Sequence, residues 1–110
     1  MKIIQHKVDN EFFEGMIEIS VPSYVERLRI MKELNFKVVD GKVETNEDTL
    51  EKMALQVEKL GTFVKSVNVK MKKSGGNITS LDELGFYNEG ATVIMELSGY
   101  ISRGLSLGNA

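Results

Sequence analysis

The chain has 110 residues, 42% hydrophobic and 27% charged, with a net charge of -2, one histidine and no cysteine. That length suits a single domain over 1–110 built on one core, and the balance of residue types excludes a wholly disordered or fibrous chain. Without cysteine there is no disulfide scaffold, thiolate nucleophile or Cys-ligated zinc. Residues 1–55 carry eight basic and eleven acidic groups and residues 56–110 six and five, so no cationic surplus exists for binding a duplex.

Met1 to Asn10 holds Lys2, His6, Lys7 and Asp9 among few apolar side chains, which does not make a signal peptide, and no apolar run is long enough to span a bilayer. A soluble, untargeted chain suited to a reducing cytoplasm is the expectation. The MKIIQHKV stretch is a strand candidate, paired as a hairpin across Asp9 and Asn10 with residues 12–21. In that second strand Phe13, Ile17, Ile19 and Val21 alternate with polar residues, the pattern of one buried face, and Gly15 marks a possible bulge.

Pro22 ends the extended run, and Ser23 with Glu26 has capping-box spacing, so a helix is predicted over about 23–35. Tyr24, Val25, Leu28, Met31 and Leu34 form its apolar side, and Glu26, Arg27, Arg29, Lys32 and Glu33 its charged one. Asp40-Gly41 sits between short β-prone runs and predicts a hairpin turn. Asn46 then caps a helix over about 47–65 whose first turn carries Glu47, Asp48 and Glu51, favoured there by the helix dipole.

Leu50, Met53, Val57, Leu60 and Val64 recur at steps of three and four, so one apolar stripe runs down this helix. Two uses are open for it: packing inward on a sheet, or sharing part of its length with a partner helix or a second copy of the chain. Residues 66–73 fit both a helical and an alternating period. β-branched Val67 and Val69, after the weakening Gly61 and Thr62, favour a short strand near 66–73.

Ser74-Gly75-Gly76-Asn77 reads as a turn or a hairpin tip, and Ser80 with Glu83 opens a short helical turn stopped by Gly85. A last helix over about 89–103 carries Val93, Ile94, Leu97, Tyr100 and Ile101 on one side, with Gly99 inviting close packing and Gly104 as its stop. Residues 105–110 read as a frayed tail. The sum is an α+β fold: N-terminal strands, three main helices and one later strand.

No catalytic, cofactor-binding or metal-ligating constellation is visible. His6 has no partner at a recognisable spacing, the acidic pairs Glu47/Asp48 and Asp82/Glu83 sit where helix starts favour negative charge, and Gly75-Gly76 lacks any phosphate-loop ending. Lys65, Lys70, Lys72 and Lys73 form a basic cluster without interleaved aromatics, which reads first as a solvated face or edge protection.

Taken in order, FFEGMIEISVPSYVERLRIMKELN, LEKMALQVEKLGTFVK, VNVKMKKSGGNITSLDEL and ATVIMELSGYISRG resemble the small tail assembly chaperones of long-tailed bacteriophages. The resemblance covers most of the chain. It implies a non-enzymatic protein of the infected host cytoplasm that escorts the tape measure protein, recruits tail tube subunits and self-associates as a homo-oligomer, with no membrane partner. In some family members a translational frameshift appends a second domain. Two other expectations stand beside it: a structural head–tail joining or minor tail protein, and a small nucleic-acid-binding regulator using Lys65 to Lys73.

Overall fold

The computed structural model describes residues 2–34, 37–39, 42–44 and 49–106. Alternation builds its central layer. Strand β1 (Lys2–Asp9) pairs antiparallel with β2 (Phe13–Val21) from Lys2 opposite Val21 to Asp9 opposite Glu14. The turn between them is an Asx turn in which the Phe12 and Phe13 amides both donate to Asn10 Oδ1 at 2.8 Å. Phe13, Ile17, Ile19 and Val21 of β2 are all buried, as their spacing predicts.

Helix α1 (Tyr24–Glu33) begins after Ser23, whose Oγ accepts the Glu26 amide at 3.3 Å. Its expected apolar side docks only in part, at Leu34. Ile30 and Leu34 are buried, whereas Tyr24, Val25 and Leu28 are exposed, because only the last turn of the helix meets the core. Strands β3 (Lys37–Val39) and β4 (Lys42–Glu44) pair into a separate two-stranded sheet, which realises the expected hairpin; its turn residues Asp40 and Gly41 lie outside the described residues. So do the cap Asn46, the first-turn acids Glu47 and Asp48, and residues 107–110 of the expected tail.

Helix α2 (Thr49–Phe63) passes into β5 (Val64–Met71) with no intervening residue. Strand β6 (Asn77–Ile78) closes a tight hairpin with β5 through Gly75, whose φ of +75° suits a glycine. The sheet order is β1-β2-β5-β6, antiparallel throughout. Helix α3 (Leu81–Leu84) starts at Ser80, whose Oγ accepts the Glu83 amide at 3.1 Å while the Thr79 amide donates to the Glu83 carboxylate. Helix α4 (Asn88–Ser102) ends at Gly104, which takes φ +73° and donates to the Tyr100 carbonyl.

The bulge lies elsewhere than expected. Gly15 keeps regular register opposite both Val8 and Val69; its φ is +148°, and a Cβ there would lie 2.1 Å from the Asn68 carbonyl oxygen, so glycine is needed for close strand approach. The irregularity sits instead where Glu18 pairs with Ser66 and Ile19 with Val64, leaving Lys65 as the extra residue. This shift of one residue returns Val64 to the face shared by Val67 and Val69, because side-chain direction alternates strictly along a strand. Close packing is likewise moved: Gly90, not Gly99, receives a neighbouring backbone, with the Leu84 carbonyl oxygen 2.0 Å from where its Cβ would stand, while Gly99 is covered by the flexible Arg103 guanidinium.

All four helices among the described residues join one hydrophobic cluster with the inner sheet face, in which Ile17, Ile19, Leu60, Ile78, Leu84 and Leu97 are fully buried. The outer face is largely exposed and carries Gln5, Lys7, Glu14, Asn68 and Lys70 together with the exposed Ile3 and Met16. The result is a two-layer α+β domain with one open side.

Candidate protein-interaction surface

The stripe on α2 divides along its length. Leu60 is fully buried and Val64 half-buried on β5, but Leu50 is 83% exposed, Met53 48% and Val57 38%. The docked side of the helix is defined by Lys52, Leu60 and Phe63, of which Lys52 is buried and partnered. At 100° per residue these centre roughly a quarter turn away from the middle of the stripe. Only the inner border of the stripe therefore touches the core.

Phe63 was invisible to the stripe pattern because it lies off that line. Leu55, also exposed, adds apolar area on the opposite flank. Beside Val57 opens a shallow, mainly apolar cleft of about 320 Å³ lined by Gly61, Leu81, Gly85 and Ile94, with Glu58 and Asp82 at its rim. No neighbouring atom lies within 4 Å of where a Gly61 Cβ would stand. The helix is held at its other side by Lys59, whose Nζ lies 2.9 Å from Glu33 Oε2 on α1.

The remaining polar groups are largely absorbed by structure. His6 Nδ1 lies 2.8 Å from the Tyr100 hydroxyl, the two rings meet edge to face, and Nε2 lies 3.3 Å from Glu96 Oε2. That second approach lacks hydrogen-bond alignment, and Nε2 is shielded from solvent. Burial, and secondarily the Glu96 carboxylate, push the Tyr100 phenol above its ordinary value. Lys72 Nζ reaches Asp9 Oδ1 at 3.0 Å, and this hydrogen bond and charge hold the Asp9 carboxyl below its ordinary value. Lys70 stands opposite Glu14 across β2 and β5, so two of the four clustered lysines are matched by carboxylates. Of the acidic pairs, Asp82 and Glu83 sit in the first turn of α3, as helix capping requires.

Among the described residues no group of three or more His, Asp or Glu side chains is placed to hold a metal ion, and no helix is long and apolar enough to cross a membrane. Comparison of the chain with known protein families, characterised proteins and solved structures yields no match.

Proposed function

We propose that the protein acts without catalysis, as a tail assembly chaperone that binds tape measure and tail tube proteins in the host cytoplasm through the outer side of α2. The observation that carries this reading is the exposure of Leu50, Met53 and Val57 on a helix whose other side is fixed to the core. Apolar anchors on a rigid helix, next to a cleft, match how helical or extended segments are captured in other complexes. The ordered resemblance along the chain supplies the choice of partner. The enclosure of the only histidine between Tyr100 and Glu96 supports the non-enzymatic part, since a general base must reach its substrate.

The test is a pull-down of the intact chain with tape measure and tail tube proteins at cytoplasm-like salt, repeated with Leu50→Glu and Met53→Glu. Binding by the natural chain and its loss in both variants supports the reading. Failure to bind either tail protein removes it, and recovery of the chain from purified virions by mass spectrometry would favour a retained structural component instead.

A further inference from the structure

We propose that the open edge of β1 is the contact surface for a second copy of this chain, giving a two-fold dimer with a continuous eight-stranded sheet and α4 packed against its counterpart. This inference uses a different surface from α2 and does not depend on the tail-assembly reading.

The backbone fixes what the edge presents. The Asn10 amide donates to the Phe13 carbonyl at 3.0 Å, so the pair 10–13 is a hydrogen-bonded pair of the β1–β2 ladder. Such pairs recur every second residue in an antiparallel ladder, which directs the backbone groups of Ile4, His6 and Val8 toward β2. Those of Ile3, Gln5, Lys7 and Asp9 consequently face outward. The same alternation runs on across the sheet: Lys72 donates to Phe12, and Met71 to Gly76 on the far side of β5. Among the described residues β1 is an outer strand, regular over eight residues, with no proline or bulge to blunt it.

One antiparallel register satisfies all four outward residues at once. It sets Ile3 opposite Asp9 of the second copy and Gln5 opposite Lys7 of the second copy, each pair exchanging two hydrogen bonds. Ile4 then meets Val8 of the second copy on the inner face, and no two lysines stand opposite each other. The two-fold axis passes through His6.

Helix α4 carries the second, independent observation. His6 touches α4 at Glu96 and Tyr100 through side-chain tips, so an axis between the two His6 residues passes beside α4 within a turn of Gly99 and leaves room for one helix on either side. A two-fold axis normal to the sheet makes the two copies of α4 antiparallel. Glu96 and Arg103 lie on opposite sides of that crossing, so each Glu96 faces the second copy's Arg103 and the surface is self-complementary in charge. Between them lies an open cleft of about 560 Å³ bordered by Glu96, Gly99, Tyr100 and Arg103, in which the Arg103 guanidinium lies over Gly99. A strand edge alone is narrower than the roughly 1,200 Å² a stable interface buries, so the contact between the two α4 helices is a necessary part of the dimer.

The experiment is analytical ultracentrifugation of the intact chain across a concentration series. The natural chain is expected to sediment at twice its 12.3 kDa mass at tens of micromolar. Gln5→Pro removes one outward amide donor and no bond within the monomer, and is expected to abolish the dimer with an unchanged circular dichroism spectrum. Arg103→Glu sets like charges across the helix contact and is expected to weaken dimerisation on the order of tenfold. Because the chain has no cysteine, mixing Gln5→Cys with Lys7→Cys under mild oxidation reads the register directly, as one disulfide-linked species joining the two variants. A natural chain that is monomeric throughout, a dimer indifferent to Arg103→Glu, or no cross-link in the mixture overturns the proposal.

Discussion

Replacing Gly15 by alanine tests how tightly the sheet is built. The residue sits near the start of β2 with a strand neighbour on each side, Val8 and Val69. Its φ of +148° lies in a region that L-residues rarely adopt, which costs on the order of 1–3 kcal/mol for a side chain forced into it. The new Cβ would meet the Asn68 carbonyl oxygen at 2.1 Å and the Val69 Cα at 2.8 Å, both backbone atoms that cannot rotate away. Moving a central strand to relieve such overlap adds about 1–3 kcal/mol. Together these give a loss of roughly 2–6 kcal/mol, a large share of the ~5–15 kcal/mol that stabilises a domain.

Gly61→Ala is the matched control. It lies inside α2 with nothing within 4 Å of the added methyl, so only helix propensity changes and stability should rise by up to ~1 kcal/mol. Urea unfolding followed by circular dichroism measures both. A Gly15→Ala variant within about 0.5 kcal/mol of the natural chain would refute the close-approach argument.

On α2, Met53→Glu and Val57→Glu should leave the urea midpoint nearly unchanged while Leu60→Ala lowers stability by about 2–5 kcal/mol, because only Leu60 is enclosed by the core. Asp9 contributes stability above its ordinary value of 3.8, and this contribution disappears as pH falls through its lowered folded value. Carboxyl NMR titration should find Asp9 titrating below the ordinary range, and Lys72→Ala should return it upward. Tyr100 behaves with the opposite sign: its contribution is complete below the ordinary phenol value of 10.0 and is lost as pH rises through the higher folded value. Ultraviolet titration should find one late tyrosine, and Glu96→Gln should bring it down only in part, since burial is the larger cause.

Features with local causes were legible in the sequence. The Ser23 and Ser80 caps, the alternation of Phe13, Ile17, Ile19 and Val21, and the Val93, Ile94, Leu97 and Ile101 side of α4 each follow from spacing within one element. Features set by neighbours were not. Which side of α1 faces inward depends on where its last turn meets α4, so Tyr24, Val25 and Leu28 read as core and lie outside. Gly15 and Gly99 looked like a bulge and a packing site, but only the partner strand and the end of α3 decide that Lys65 and Gly90 fill those roles. For the candidate site, the stripe showed that α2 is amphipathic and not how the helix is rotated against the core. One clue was present: Val64 and Val67 differ in parity along an alternating strand, so both can face inward only with an inserted residue between them.

The junction of Phe63 with Val64 has a mechanical meaning. Where a helix and a strand abut without slack, neither can swivel alone: turning α2 about its own axis would wrench β5 out of its ladder with β2. The Val57 end of the exposed apolar ledge is thus presented at a fixed angle, like a shelf bolted to a wall, and whatever settles there forfeits little additional freedom in doing so.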